Sequence, residues 1–127
     1  MYKKLLLLAV CFSLLAVLYS CQYKKEAIAY PAPATCDTAV VRYSVEIKNI
    51  IAANCNSCHA ANVGNSQGGG YILDSYNALR PYAQSKLVLN VIQRNSGFSP
   101  MPKNAAKLSD CDIAKVRIWI QNGFPNN

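Results

Sequence analysis

Histidine is almost missing from this chain: His59 is the only one in 127 residues. A centre built on two imidazoles, whether a paired-histidine metal site or a histidine proton relay, is therefore excluded. No segment shows the strict alternation of a strand and no internal repeat occurs, which argues against sheets and solenoids. Of six cysteines, only Cys55 and Cys58 form a close-spaced pair, so the second half of a four-ligand zinc site is absent. Acidic residues are scarce, six against thirteen Lys and Arg, for a net charge of +7. Yet no basic helix or aromatic stacking platform accompanies that charge, and nucleic acid is not an expected partner.

What the first residues do contain is a leader. Lys3-Lys4 precedes an apolar run, Leu5 to Leu18, broken only by Ser13. This is the basic start and apolar stretch of a secretory signal, too short to span a bilayer and without an amphipathic face for a core helix. Leu18-Tyr19-Ser20-Cys21 resembles a bacterial lipobox, with Tyr19 bulkier than the pattern usually takes. Residues 1–20 are thus expected to be removed and Cys21 to be lipidated, with ordinary signal cleavage as the alternative. Either route exports the chain to an oxidising compartment. Loss of Lys3 and Lys4 lowers the charge from +7 to +5, which suits an acidic partner or an anionic membrane surface. Residues 21–35, with Pro31-Ala32-Pro33 and no periodic pattern, read as the lipidated N-terminus and a tether. The folded domain is then 36–127, small enough to benefit from a staple or a cofactor.

Cys55-Asn56-Ser57-Cys58-His59 carries the chemistry. C-x-x-C-H is the signature of covalent haem c attachment. Two thiols three positions apart can reach the two vinyl groups of one haem, and the adjacent imidazole falls under the ring to ligate the iron. A thioredoxin-like redox pair would need a βαβ context, and half a zinc site would need more donors than His59 offers. One haem c, bound through Cys55 and Cys58 with His59 on the iron, is the expected cofactor.

Around the motif the pattern is helical. Ser44 offers an N-cap for a helix to Asn54, with Ile47, Ile50 and Ile51 on one face. Ser109-Asp110-Cys111-Asp112 resembles a capping box with Asp in place of Glu, and Ile113, Val116 and Ile120, with Trp119 beside them, form an apolar face stopped by Gly123 and Pro125. Between these lie a polar loop, Ala60 to Gly70, and short helical stretches near 75–82 and 86–93, fragmented by Pro81, Gly97, Pro100 and Pro102. The expected class is all-α with long loops, and Trp119 is expected in the core.

With these elements in place, the domain resembles the class I-like monohaem cytochrome c family: a helix ending in C-x-x-C-H, a loop presenting Met101 within Ser99-Pro100-Met101-Pro102, and a C-terminal helix with an aromatic residue. It is similar to a lipoprotein subgroup in Leu108-Ser109-Asp110-Cys111-Asp112-Ile113-Ala114-Lys115 and in the ending Pro125-Asn126-Asn127. The resemblance implies N- and C-terminal helices that cross, short middle helices, and long loops around one haem. Two departures stand out. Ile47 occupies the position, eight before the first cysteine, where the family has a small residue at the crossing. No proline follows His59 before Pro81, whereas the family's loop after the histidine often has one and supplies a carbonyl to the imidazole.

Met101 is the only methionine beyond the leader, and the prolines on both sides fix its backbone. It is the expected second axial ligand, and a flexible core filler is the bland alternative. Cys36 and Cys111 are left once Cys11 leaves with the leader and Cys21 is lipidated. They are expected to form a disulfide, with two buried free thiols as the alternative. Tyr71, Tyr76 and Tyr82 read as core residues with wet hydroxyls, with lining of the haem pocket or bonding of its propionates as the alternative.

A fully ligated iron has no open position for substrate, so the expected function is single-electron transfer rather than enzymatic turnover. The chain would be held to the membrane by Cys21 and face the periplasm, since no acidic run follows that cysteine. The alternative is a haem peroxidase or small-ligand sensor in which Met101 dissociates, against which stands the lack of an acid–base cluster near the motif. A haem-free structural lipoprotein is the third reading. The segment Arg94–Leu108 carries Arg94, Lys103 and Lys107 without an acidic residue, a basic rim suited to an acidic redox protein.

Overall fold

Arg42 is extended (φ −108°, ψ 147°), and from the next residue the chain winds into helix. In this computed structural model the described residues are 35–127. The expected leader, Cys21 and almost all of the tether lie outside them. The first helix, α1, opens with a wide π-wound turn, Tyr43–Ile47, in which Ile47 N–H donates to Arg42 O five residues back at 3.2 Å. It continues as regular helix over Lys48–Asn54. Ile47, Ile50 and Ile51 are buried, as their spacing predicts.

The expected cap at Ser44 is corrected. Ser44 lies inside the helix, and the free N–H groups of the first turn find a partner distant in sequence. Ser44 N–H donates to the main-chain oxygen of Asn127 at 2.8 Å, and Tyr43 N–H to Asn127 Oδ1 at 2.9 Å. A helix start needs acceptors for its unpaired donors, and here they arrive from the far end of the chain. Glu46 adds a local one, its carboxylate accepting from Arg42 N–H at 2.7 Å.

The chain breaks helix at Cys55 (φ −123°, ψ −37°) and makes one further turn, α2, Asn56–His59. After a loop come α3, Tyr76–Gln84, and α4, Leu87–Gln93. Ser75 caps α3, its hydroxyl accepting from Ala78 N–H at 3.4 Å. Pro81, one of the expected breakers, lies inside the helix, which runs to Gln84. Its missing N–H removes one bond, but its carbonyl still accepts from Ser85 N–H at 3.0 Å. Leu79 and Ala83, four apart, stay buried on one face. One lost ladder bond is outweighed by that burial.

The last helix, α5, Asp110–Gln121, follows its sequence signals closely. Ser109 Oγ accepts from Asp112 N–H at 3.0 Å and donates to the Asp112 carboxylate at 2.8 Å. The Asp is too short to return to the Ser109 N–H as a Glu would. At the other end Gly123 (φ +83°) turns the chain. Gly123 N–H donates to Ile120 O at 3.1 Å and Phe124 N–H to Trp119 O at 2.8 Å. This is the paired-bond termination that positive φ permits. The Phe124 ring packs edge-on to Trp119 at 6.3 Å.

All regular elements among the described residues are helices, so the class is all-α. α5 packs against the first turn of α1 and against α4. Trp119 is fully buried there, 6.0 Å from the Tyr43 ring, with Nε1 donating to Pro125 O at 2.9 Å. Ile47, equally buried, belongs to the same turn of α1. A disulfide joins Cys36 to Cys111 with Cα atoms 5.4 Å apart, well within bridging range. It ties the start of the unit Cys36–Asn127 to the first turn of α5.

Candidate functional site

Cys55, Cys58 and His59 share a single stretch of backbone whose geometry follows from the break in α1. Cys55 N–H still bonds Ile51 O at 2.9 Å, so the residue is the last to be held by α1. Its own carbonyl then accepts from Cys58 N–H at 3.1 Å and His59 N–H at 2.9 Å. The two thiols are one helical turn apart, and both are unpaired. Cys58 is exposed and Cys55 half-buried. Burial pushes the Cys55 thiol up to about 11. It therefore stays protonated at neutral pH, the opposite of the lowered thiol a redox-active C-x-x-C uses for attack. Asn56, between the thiols, has its Oδ1 buried without a partner. Buried polar atoms are nearly always paired, and the exception falls inside the motif.

The imidazole is held from behind. His59 Nδ1 lies 2.8 Å from Tyr71 O. A carbonyl can only accept, so Nδ1 carries the proton and Nε2 is left with the lone pair that ligates a metal. Tyr71 is brought there by the loop after the motif. Ala60 O accepts from Val63 and Gly64 N–H, Val63 O from Ser66 and Gln67 N–H, and Gly64 O from Gly68 and Gly70 N–H, all between 2.7 and 3.0 Å. Leu73 N–H then returns to His59 O at 2.8 Å, and Ala61 N–H to the Asp74 carboxylate at 2.7 Å. The polar stretch is a closed loop coiled against the histidine. Sequence reasoning does not find Tyr71 as this partner, because the contact is made by its carbonyl, which every residue has.

Met101 sits on a separate loop, half-buried. Its N–H donates to Val91 O at 3.0 Å, and the Arg94 guanidinium donates to Ala105 O at 2.6 Å, bracing the segment between α4 and α5. A cleft of about 380 Å³ is walled by Arg94 and residues 99–105, Met101 among them; Cys55, Cys58 and His59 do not line it. The structure thus gathers the three motif residues in one turn and joins Cys36 to Cys111, while Met101 lines a cleft formed by its own loop. The basic charges of that loop are not equivalent. Lys107 pairs with Asp110 at 3.6 Å and Arg94 bonds its own loop, while Lys103 stands in the cleft wall.

Tyr76 and Tyr82 behave as core tyrosines, the Tyr76 hydroxyl donating to Phe124 O at 3.0 Å. Tyr71 differs from the expectation: the residue is 46% exposed, and its ring meets that of Tyr82 edge-on at 5.4 Å.

Among the described residues no three His, Cys, Asp or Glu side chains converge as a metal-ion cluster. Haem attachment does not need them to. Its iron takes the imidazole at the ring centre, while the thiols bond carbons at the ring edge. The donor set, two unpaired thiols one turn apart and an imidazole with Nε2 available, fits that group. Comparisons with known protein families, with curated proteins and with solved structures find no match to this chain.

Proposed function

We propose that this chain is an exported electron carrier with one haem c, attached through thioethers at Cys55 and Cys58 and held on the iron by His59 and Met101. The observation that carries the reading is the 2.8 Å bond from His59 Nδ1 to Tyr71 O, in a motif whose two thiols are unpaired. It leaves the Nε2 lone pair free, as the orienting partners of metal-ligating histidines do. The all-α architecture, with α5 against the opening turn of α1, supports grouping the domain with class I-like cytochromes c. The haem would supply a one-electron couple, and methionine ligation would raise its potential. On this reading Cys21 anchors the protein to the membrane facing the periplasm, and the basic loop from Arg94 to Leu108 meets an acidic redox protein.

The test is the full chain expressed with a haem-attachment apparatus in an oxidising compartment. Haem should remain on the polypeptide through acid–acetone extraction, with a low-spin c-type spectrum, and should be lost on extraction from Cys55→Ala/Cys58→Ala. Wild-type protein isolated without haem under these conditions refutes the assignment. A high-spin spectrum would point to an open sixth position instead.

A further inference from the structure

We infer that Gly68 is a positioning residue for His59: the absence of a side chain there lets the loop 60–70 close on the imidazole and deliver the Tyr71 carbonyl to Nδ1. The inference rests on the haem reading only for its electrochemical consequence; the placement of the ring is a property of the chain itself.

The glycines of this loop serve two different needs. Gly69 and Gly70 adopt positive φ, +62° and +85°, and a Cβ on either would meet nothing closer than 3.8 Å. They let the chain turn. Gly68 is not among the positive-φ residues, so backbone conformation does not require glycine there. Space does. A Cβ on Gly68 would lie 2.5 Å from Cys58 O, 2.7 Å from His59 Nδ1 and 2.9 Å from Gly64 O. Two of these atoms are backbone and the third belongs to a ring already bonded to Tyr71. None is the free end of a flexible chain. Gly64 has a milder version of the constraint, with Ile72 Cγ1 at 2.9 Å and Tyr71 O at 3.3 Å. Gly68 is buried between the motif and the rest of its loop, and its carbonyl accepts from Tyr71 N–H at 3.2 Å. The residue that lies against the ring edge therefore also bonds the N–H of Tyr71, the residue whose carbonyl meets the ring.

A methyl group at Gly68 must push the loop away from Cys58 and His59. The Nδ1–H to carbonyl bond then lengthens or breaks, and the ring loses its orienting partner. That bond raises the basicity of the ligating nitrogen and so favours the oxidised iron. Weakening it should raise the reduction potential, a change that disturbed packing alone would not direct.

The experiment compares the full-length wild type with Gly68→Ala, Gly64→Ala and Gln67→Ala as purified. The first readout is hydrogen exchange at His59 Nδ1–H by NMR, on the reduced diamagnetic state when haem is bound. Wild type should exchange slowly. Gly68→Ala should exchange roughly tenfold faster, the upper end of what one net hydrogen bond corresponds to, Gly64→Ala should change in the same direction by less, and the exposed Gln67→Ala should match wild type. The second readout is the midpoint potential, expected to rise in Gly68→Ala and stay constant in Gln67→Ala. Should the purified wild type hold no haem, the functional reading fails while the exchange measurement still decides this inference. Wild-type Nδ1–H exchanging at the rate of free imidazole overturns it, whether or not the alanine variants fold. So does a folded Gly68→Ala with wild-type exchange and potential.

Discussion

Removing the Cys36–Cys111 bridge is the sharpest test of what holds this domain together. The two residues stand 75 positions apart, and the crosslink therefore closes most of the folded unit into one loop. A loop of that length restricts the unfolded chain by roughly 4.5 kcal/mol in the chain-entropy treatment. Haem attachment would not replace the constraint, because Cys55 and Cys58 close a ring of only a few residues. The perturbation is the double variant Cys36→Ser/Cys111→Ala, which leaves no lone thiol and suits the exposed and half-buried sites respectively. At roughly 4–8 °C per kcal/mol for a domain of this size, the midpoint of thermal unfolding should fall by roughly 20–35 °C. Denaturant unfolding followed by far-UV circular dichroism gives the free energy directly. The denaturant slope should rise as well, since an unbridged chain exposes more surface on unfolding. A loss below about 1 kcal/mol, with an unchanged slope, would refute the reasoning: the unfolded chain would then already be as confined without the bridge as with it.

Met101→Ala should abolish the methionine–iron absorption and lower the midpoint potential; an unchanged low-spin spectrum and potential would remove Met101 from the iron. Trp119→Ala should destabilise the domain by about 3–5 kcal/mol, since the indole is fully buried and also bonds Pro125 O; equilibrium unfolding measures this. The Glu46 carboxylate is held below the usual glutamate range, chiefly by the Arg42 main-chain N–H and further by the Arg42 guanidinium. A lowered folded-state pKa gives stability that is complete above the unfolded value, about 4.3, and is lost as pH falls through the folded one. Glu46→Gln should therefore flatten the acid limb of the stability–pH curve and leave it unchanged in shape above neutrality, as a pH series of denaturant melts would record.

Local sequence determines those parts of this protein whose partners lie within a turn or two. The α5 helix is legible because every device that makes it is local: Ser109 and Asp112 are three apart, Ile113, Val116 and Ile120 repeat at helical spacing, and Gly123 ends the helix by its own backbone freedom. The motif is legible for the same reason, since C-x-x-C-H places its groups within one turn. The Cys36–Cys111 bridge is non-local but was expected by elimination, on the reading that Cys11 leaves with the leader, Cys21 is lipidated and Cys55 and Cys58 belong to the motif. Three features were settled by tertiary structure alone. The cap of α1 comes from Asn127 rather than Ser44, because unpaired N–H groups accept any well-placed oxygen and residue type does not say which will arrive. Pro81 is carried inside α3, because burial of Leu79 and Ala83 outweighs one missing bond. The partner of His59 is the main-chain carbonyl of Tyr71, twelve residues on, in a loop whose Gly68, nine residues from the histidine, leaves no room for a Cβ beside the ring. Carbonyls carry no signature, and space for a missing Cβ becomes visible only once the loop has closed.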